Sequence, residues 1–435
     1  MALWAVHGNG RQPPDGEDVA TEERLSWPLT MGLGLQHLFA MFGATVLVPR
    51  LTGLPVATTL LASGVGTLLF LLLTRNRVPA YLGASATFVV PLGVAAERSG
   101  AGPGGLVGAV LVVGLLVTAV GISVKALGVR LLETVMPAVV TGGVVVLVGL
   151  GMATHSVTLF QEAARSVPSF RPVPVAAVVT ALVIVLLAVF GRGLLNRGCV
   201  LFGIATGWFY AFAAGGVYQA RLESLRSAPW FGFPELITPR LHISVIPVVL
   251  PLVVVLAAQQ VGVVKAVAAS TDRDLDGNVG DALIGGGLAT TLSGAVGGSG
   301  LIGYAENTGV MVASRVFSTA ACVAAAVAAV TLAFSPKFVA LLDTVPIGVV
   351  GAATMVLLGM VTLIGGRIWL RARIRFTDPA NLVVVVATLL IGASNPTLSL
   401  GGFRLSGVVW GSFLLVLVYP VLRTVVDAVR GRPRD

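Results

Sequence analysis

Apolar runs without a charged residue recur along the whole chain, and each is long enough to cross a lipid bilayer or nearly so. About 20 helical residues span the hydrocarbon core of a membrane. The runs are Leu25–Pro49, Leu51–Thr74, Val78–Ala96, Ser99–Val124, Thr134–Gln161, Pro172–Gly191, Gly198–Ala220, Leu241–Val264, Ala282–Ala305, Val316–Pro336, Thr344–Gly366, Pro379–Phe403 and Leu405–Leu422. This pattern predicts an all-α polytopic membrane protein.

The composition excludes the soluble classes of protein. Hydrophobic residues make up 56% of the 435 residues and charged residues 11%, whereas soluble domains have about 45–50% and about 25%. A soluble enzyme, a nucleic-acid-binding protein and a disordered scaffold are therefore excluded. The net charge of +9 indicates orientation instead, because with both termini in the cytoplasm roughly two thirds of the basic residues fall on the cytoplasmic side.

The two ends of the chain are polar. Residues 1–27 lack a basic segment followed by an apolar one, so they do not form a cleavable signal. We expect a mobile cytoplasmic tail there and a second short tail over residues 429–435. Cys199 and Cys322 lie in apolar runs, which indicates neither a disulfide framework nor a metal site, and no cofactor is predicted.

Two segments differ from plain membrane helices. Val78–Pro91 has a proline near or at each end with small and hydroxylated residues between, and Gly297–Gly309 is rich in glycine. If the apolar stretch interrupted by Glu306 counts as two short spans, there are fourteen spans, and these segments are the third and the tenth. Interrupted helices at equivalent places in two halves indicate a transporter's binding site, and seven spans per repeat make the second copy inverted. The alternative is that Gly and Pro only kink packed helices.

Polar residues inside the spans are few. Glu306 is the one carboxylate far from the predicted membrane faces, and an ionisable group at that depth is functional by default. Its alternative is a structural carboxylate paired with a neighbouring span. Gln259 and Gln260 lie deep in the eighth span, where hydrogen bonding between helices is the alternative to substrate contact. His37 in the first span is equally consistent with packing and with a polar contact.

Motifs of enzymes and pumps are missing from the sequence. There is no Gly-x-Ser-x-Gly elbow, no His-Glu-x-x-His pair and no Walker loop. The chain is therefore predicted not to be an enzyme or a nucleotide-driven pump, which leaves transport driven by a gradient or facilitated transport.

At these residues the chain resembles a known family. Glu306–Arg315 reads Glu, Asn, any residue, Gly, four residues, Ser, Arg, which is similar to the signature of the nucleobase–ascorbate transporters except that Ser314 replaces Thr. Leu35–Pro49 resembles the first span of bacterial uracil permeases, and Val78–Gly83 resembles the opening of their third span. Order and spacing agree over about residues 27–422, so the chain is identified as a member of the uracil/xanthine permease family.

The resemblance implies an architecture. Members fold as two inverted repeats of seven spans, with short strands in spans 3 and 10 that meet at the membrane midplane. A core domain would comprise residues 28–128 (spans 1–4) and 243–337 (spans 8–11). A gate domain would comprise residues 129–242 (spans 5–7) and 338–428 (spans 12–14). Members commonly form homodimers through the gate domain.

The resemblance also implies a site for a nucleobase substrate. Ala86 and Ala305 would offer backbone groups to the base, Glu306 would bind a ring N–H, and Tyr304 would help to shape the cavity. The substrate-binding residues are expected to be Ala86, Gln259, Tyr304, Ala305, Glu306 and Asn307. Supporting roles are expected for His37, Phe88 and Gln260.

Span 8 departs from the pattern of the pyrimidine permeases, which typically read Ala-Glu-His-Ile-Gly-His there. Gln259 replaces the usual carboxylate, Val263 replaces a histidine, and Ala86 stands where uracil permeases have an aromatic residue. The site therefore has fewer titratable groups and less bulk, which predicts room for a purine such as xanthine or guanine.

The sequence therefore favours a nucleobase permease of the cytoplasmic membrane, embedded in the lipid bilayer and coupled to protons through Glu306. Three alternatives stay open: an uncoupled facilitator, an anion transporter on the same fold, as in the sulfate-permease relatives, and a membrane scaffold without transport. An anion site would use paired helix N-termini without a carboxylate, which Glu306 disfavours.

Overall fold

A computed structural model gives the fold. The structure describes residues 4–11, 17–99, 102–128, 137–147, 149–151, 172–192, 195, 199–214, 219–400, 403–405 and 407–430. Much of the predicted run Thr134–Gln161 and most of the predicted C-terminal tail lie outside these residues.

Helices make up most of the described chain. Those of the first half are α1 (Trp27–Thr52), α2 (Val56–Leu73), α3 (Val89–Ser99), α4 (Gly102–Leu127), α5 (Ala138–Gly151), α6 (Pro172–Phe190), α7 (Cys199–Ala213), α8 (Gln219–Ser227) and α9 (Ile246–Val249). Those of the second half are α10 (Pro251–Thr271), α11 (Val279–Val296), α12 (Ala305–Ser314), α13 (Thr319–Ala333), α14 (Pro336–Asp343), α15 (Ile347–Arg371), α16 (Pro379–Ser394) and α17 (Gly407–Arg430). Short 3₁₀ turns, Ala86–Phe88 and Asp276–Asn278, precede α3 and α11.

Six short strands among the described residues form three pairs. β1 (Ala5–Val6) and β2 (Glu23–Arg24) are parallel. β3 (Leu82–Ala84) and β4 (Leu301–Gly303) are antiparallel and join the two halves of the chain. β5 (Leu398–Leu400) and β6 (Phe403–Leu405) form an antiparallel pair.

Local signals in the sequence explain where several helices begin and end. Pro336 opens α14, where the missing N–H of proline costs nothing. The Asp378 side chain caps α16 by accepting from the backbone N–H of Ala380 at 3.0 Å. Gly53 and Gly297 end α1 and α11 with φ of 70° and 103°, a left-handed conformation that favours glycine.

The same order of elements occurs in both halves. α1, α2, β3, α3 and α4 in the first half correspond to α10, α11, β4, α12 and α13 in the second. The halves interlock, because α11 packs on α4 and α13 packs on α2. Small residues permit the close approach: a Cβ at Gly114 would lie 2.4 Å from the Thr291 nitrogen, and one at Gly64 would lie 2.5 Å from the Ala326 oxygen.

Helices α5, α16 and α17 meet this core across an apolar contact. Val48 of α1, Ala84 of β3 and Val89 of α3 belong to one buried cluster with residues of α5, α16 and α17, including Val144 and Val384. Ala86 packs against the same cluster. The strand pair therefore lies next to the boundary between the predicted core and gate domains.

By length and composition, four helices of the described residues could cross a membrane: Val56–Leu73, Gly102–Leu127, Ile246–Ala268 and Asp276–Val296. The pair α13 and α14 is bent by 83° and would be a fifth if it counts as one span. The number of fourteen spans stays a prediction.

The expectation of a mobile N-terminal tail is wrong for residues 17–26. Val19 forms a parallel bridge with Val316, its N–H donates to the Arg315 carbonyl at 2.9 Å, and its carbonyl accepts from the Phe317 N–H at 2.9 Å. Arg273 donates to both carboxylate oxygens of Glu22 at 3.0 and 2.8 Å. Because Val19 is fully buried, apolar contact holds this segment as well as hydrogen bonds.

The predicted run Pro379–Phe403 is not one helix. α16 ends at Ser394, Asn395 takes a left-handed conformation with φ of 39°, and the strands β5 and β6 follow. Asn395 also donates from Nδ2 to the Gly151 carbonyl at 3.1 Å. The chain turns here because asparagine tolerates this conformation and Pro396 cannot continue a helix.

Between α8 and α9, residues 228–245 cross the surface of the core as an extended segment. The Lys337 N–H donates to the Pro229 carbonyl at 3.0 Å, the Ile237 N–H donates to the Val296 carbonyl at 3.3 Å and the Arg240 N–H donates to the Gly104 carbonyl at 2.8 Å. The segment thus contacts several elements of the core with its backbone.

Candidate functional site

The candidate site is built around the buried pair β3 and β4. Leu82 is opposite Gly303, Gly83 is opposite Ile302 and Ala84 is opposite Leu301. Two further backbone hydrogen bonds extend the ladder at its ends, from the Tyr304 N–H to the Tyr81 carbonyl at 3.2 Å and from the Ser85 N–H to the Gly300 carbonyl at 2.9 Å. Non-helical backbone is possible at membrane depth here because protein surrounds it.

Side chains of the surrounding helices satisfy the outer edges of both strands. Thr67 of α2 accepts from the Leu82 N–H at 2.9 Å. Thr290 of α11 accepts from the Leu301 N–H at 3.2 Å and donates to the Leu301 carbonyl at 2.9 Å. A buried strand edge without partners would be costly, so these hydroxyls stabilise the pair.

Two more anchors hold the residues that precede the helix starts. Thr45 of α1 accepts from the Ala84 N–H at 3.3 Å. Gln260 of α10 accepts from the Gly303 N–H at 3.2 Å through Oε1. The sequence analysis did not identify Thr45, Thr67 or Thr290 as anchors. Each is a hydroxyl residue inside an apolar run, and this was the one sequence feature that could have pointed to them.

Each strand leads directly into the start of a helix. Ala86–Phe88 begins after Ser85, and α12 begins after Tyr304. Ser85 and Tyr304 are extended, and neither side chain caps its helix. The first N–H groups of a helix lack partners within the helix and carry partial positive charge, so both starts can donate to an acceptor such as a carbonyl oxygen.

Tyr304 connects the two halves of the site. Its hydroxyl donates to the Ala84 carbonyl, and its ring lies against Gly83, where a Cβ would be 2.5 Å from the ring carbon Cε2. Only glycine fits at that position without displacing the ring. Tyr304 is half-buried.

The eighth-span glutamines lie in the middle of α10. Gln259 is half-buried, and its Oε1 is a buried acceptor without a hydrogen-bond partner among the described residues. Gln260 is only 2% exposed, and its Nε2 is a buried donor that also has no hydrogen-bond partner among the described residues. Val263 is buried beside Gly303.

His37 and Asn307 are brought together. Asn307, near the start of α12, donates from Nδ2 to the His37 carbonyl at 3.3 Å, and both residues are buried. Asn307 Oδ1 has no partner among the described residues. The contact explains how span 1 supports the tenth-span segment, although it uses the histidine's backbone.

The remaining predicted residues occupy the two helix starts. The Phe88 ring is fully buried and covers Gly300, where a Cβ would lie 2.0 Å from it. Ala86 is half-buried. The backbones of Ala305 and Glu306 form the first two positions of α12, beside Tyr304 and Asn307.

The described residues contain no group of three or more His, Cys, Asp or Glu able to hold a metal ion. Cys199 and Cys322 are buried and are not joined in a disulfide. The described groups beside the strand pair that have no hydrogen-bond partner include the amide atoms Gln259 Oε1 and Gln260 Nε2.

Comparison with known proteins finds relatives over nearly the whole chain. The permease family Xan_ur_permease matches residues 29–401. The chain is 41% identical over 426 residues to "Putative pyrimidine permease RutG" of Escherichia coli K12, covering 94% of this chain and 93% of that protein. It is 35% identical over 399 residues to "Uracil permease" of Bacillus caldolyticus, covering 90% and 91%.

Two solved structures share the fold. The transmembrane domain of the cyanobacterium bicarbonate transporter BicA superposes with a TM-score of 0.62 at 14% identity, over 84% of this chain and 96% of that one. SLC26A9 gives a TM-score of 0.63 at 12% identity, over 92% of this chain and 66% of that one. At this identity the likeness concerns the fold alone.

Proposed function

Because this chain belongs to the Xan_ur_permease family of permeases, we propose that it carries nucleobases such as uracil, xanthine or guanine across the cytoplasmic membrane. It is a multi-pass membrane transporter and not an enzyme. The family match and the uracil permease relatives confirm the resemblance to the uracil/xanthine permease family that Leu35–Pro49, Val78–Gly83 and the signature at Glu306–Arg315 indicated.

The observation that carries the proposal is the pairing of β3 with β4 between two uncapped helix starts. A nucleobase presents N–H groups beside carbonyl groups on one edge. Its carbonyls suit the N–H groups of the helix starts, and its N–H groups suit acceptors such as Gln259 Oε1, which has no partner among the described residues. Glu306, in the second position of α12, would accept from a ring N–H.

For the architecture we propose two inverted repeats of seven spans, fourteen in all. Matching anchors support a two-fold relation between the halves: Thr67 and Thr290 each lie eleven residues after the first residue of an 18-residue helix, α2 or α11. They hold Leu82 and Leu301, which the antiparallel register relates by a two-fold axis.

For the mechanism we propose alternating access, with a core domain (28–128 and 243–337) moving against a gate domain (129–242 and 338–428). The apolar cluster of Val48, Ala84 and Val89 with residues of α5, α16 and α17 supports this division next to the strand pair. Hydrogen bonds cross the boundary elsewhere, such as that from Arg50 of α1 to the Leu342 carbonyl at 2.7 Å. Both termini would be cytoplasmic, and a homodimer would form through the gate domain.

Proton symport through Glu306 is the coupling that we propose. The second candidate is an uncoupled facilitator, and the observation that favours it is Gln259, an amide where the pyrimidine permeases typically carry a carboxylate. Transport of an inorganic anion is disfavoured, because a carboxylate at the start of α12 would repel one.

Uptake by reconstituted vesicles tests the proposal. We expect labelled uracil, xanthine or guanine to enter vesicles that contain the protein and to be competed by unlabelled base. A pH gradient, with and without a protonophore, separates symport from facilitated transport. Vesicles that take up bicarbonate or sulfate and no base would contradict it.

A further inference from the structure

Gln260 is held in a defined orientation at the edge of the candidate site. Its Oε1 accepts from the Gly303 N–H at 3.2 Å. That N–H can only donate, so the amide oxygen must face it and the amide nitrogen must point elsewhere. A Cβ at Gly303 would be only 3.4 Å from both amide atoms, so the glycine lies directly against the amide group.

The corresponding place in the first half is filled differently. There Thr45 holds the Ala84 N–H, and its own hydroxyl proton goes to Met41 Sδ at 2.9 Å. Thr45 therefore has no donor left. Gln260 likewise accepts from the Gly303 N–H, and both amide protons on its Nε2 are left to donate.

The helix that faces Gln260 is adapted to it. Ser63 of α2 and Gly286 of α11 each lie seven residues after the start of their helix. Ser63 donates to the Leu82 carbonyl at 2.5 Å, whereas a Cβ at Gly286 would lie 3.3 Å from Gln260 Oε1. The second half thus has a glycine where the first has a serine, and the glycine leaves space for the amide.

The Nε2 amide group of Gln260 has no structural role that the contacts explain. The residue is 2% exposed, and Nε2 has no hydrogen-bond partner among the described residues. A buried donor left unpaired is costly, and a threonine like Thr45 would have held the strand without that cost. The donor is therefore understood if an acceptor arrives with the substrate.

We propose that Gln260 is a positioning and specificity-determining residue of this permease. Its Oε1 fixes Gly303, and with it the segment Tyr304–Asn307, while its Nε2 donates to a carbonyl oxygen of the bound nucleobase. The proposal rests on the proposed function, since it takes the substrate to be a base with ring carbonyls.

Two variants separate the two tasks. Gln260→Met keeps the length of the side chain and removes both the acceptor and the donor, so we expect uracil affinity to fall at least tenfold. Gln260→Glu keeps an acceptor for the Gly303 N–H and, with its carboxyl ionised, removes the donor. We therefore expect uracil affinity to fall about fivefold when binding is measured at a pH high enough to ionise it, with the melting temperature closer to wild type. The matched control is Gln36→Met, the same substitution at a half-buried glutamine of α1. It should bind uracil like wild type.

Analogues that lack one carbonyl provide a readout that a merely structural role would not move. Binding of uracil, pyrimidin-2-one and pyrimidin-4-one is measured on purified wild type and Gln260→Glu. For the analogue without the carbonyl that meets Nε2, we expect the difference between wild type and variant to shrink below twofold, while the other analogue keeps it.

The outcomes are distinct. Wild-type affinity in Gln260→Met overturns the positioning role. Wild-type affinity in Gln260→Glu, or an equal loss for uracil and both analogues, overturns the donor role. This test of the donor role can still be made if Gln260→Met does not fold. A wild-type protein that binds no nucleobase overturns the proposed function itself, whereas binding by wild type with unaffected variants overturns this inference alone.

Discussion

At the scale of single residues, most polar side chains around the strand pair are committed to backbone groups. Thr67 and Thr290 each satisfy a strand edge, and Asn307 donates to the His37 carbonyl. Gln259 is different, because its Oε1 is buried and has no partner among the described residues. A side chain that does not support the fold is the one most available to a ligand.

Gln259→Leu should therefore weaken binding of uracil about tenfold or more while the protein stays folded. Leaving the polar groups of the base unpaired costs about 1–3 kcal/mol, and about 1.4 kcal/mol corresponds to a factor of ten. Equilibrium binding to purified protein measures the change, with the melting temperature as control. Unchanged affinity would remove Gln259 from the site.

The space expected for the substrate depends on two single residues, Ala86 and Val263. Ala86 is small and half-buried, and Val263 is buried beside Gly303. With less bulk at both places, xanthine or guanine should compete for uptake at least as well as uracil. A competition series with purines and pyrimidines tests this, and Ala86→Phe should shift the preference toward uracil. Displacement of label by pyrimidines only would refute it.

At the scale of elements, the N-terminal segment 17–26 is the addition that hydropathy did not predict. It lies along the turn between α12 and α13 through Val19, and it reaches the loop after α10 through Glu22 and Arg273. Since α12 begins at the candidate site, the segment supports the far end of a site-bearing helix.

The ion pair of this segment has a defined pH dependence. Hydrogen bonds from Arg273 hold the pKa of Glu22 at about 2, below its ordinary 4.5, in spite of opposing desolvation. The pair therefore contributes its full stabilisation above about pH 4.5 and loses it as the pH falls toward 2. Because the side chains are largely exposed, the contribution is about 1 kcal/mol or less.

Glu22→Gln should loosen the segment at neutral pH. Trypsin cleavage after Arg24 measures this, and we expect it to become about two- to fivefold faster, as a pair of that strength implies. Between pH 8 and about pH 5 the difference between wild type and variant should be constant. Equal cleavage of both proteins at neutral pH would show that Val19 and the backbone bonds hold the segment alone.

At the scale of the whole molecule, two similar halves enclose one site. α11 packs on α4 and α13 on α2, so each half completes the other, and the strand pair lies where they meet. The polar groups of the site are buried within this unit, whereas its contact with α5, α16 and α17 is apolar.

Glu306→Gln tests the proposed coupling of transport to protons. A carboxyl group that binds both a proton and the base links the two binding events. The variant keeps the shape and cannot titrate, so accumulation driven by a pH gradient should vanish while exchange of base can continue. Vesicles with and without a protonophore measure it. Accumulation by the variant, or none by wild type, would exclude Glu306 as the coupling group.

The sequence alone determined the class of protein, the family and the two segments that form the candidate site. These follow from local properties: the length of the apolar runs, the prolines and glycines of Val78–Pro91 and Gly297–Gly309, and the signature at Glu306–Arg315. Hydropathy and short motifs report what each stretch of chain needs from its surroundings, and a membrane makes those needs strict.

Only the tertiary structure decided which residues meet. The pairing of Leu82 with Gly303, the anchoring of Gly303 by Gln260 and the docking of Val19 on Val316 join residues far apart in the chain. No local pattern encodes such partners, because a threonine or glutamine in an apolar run has the same local preference whether it anchors a strand, a ligand or another helix. Their roles arise from the register of one short antiparallel pair, which a shift of a single residue would change.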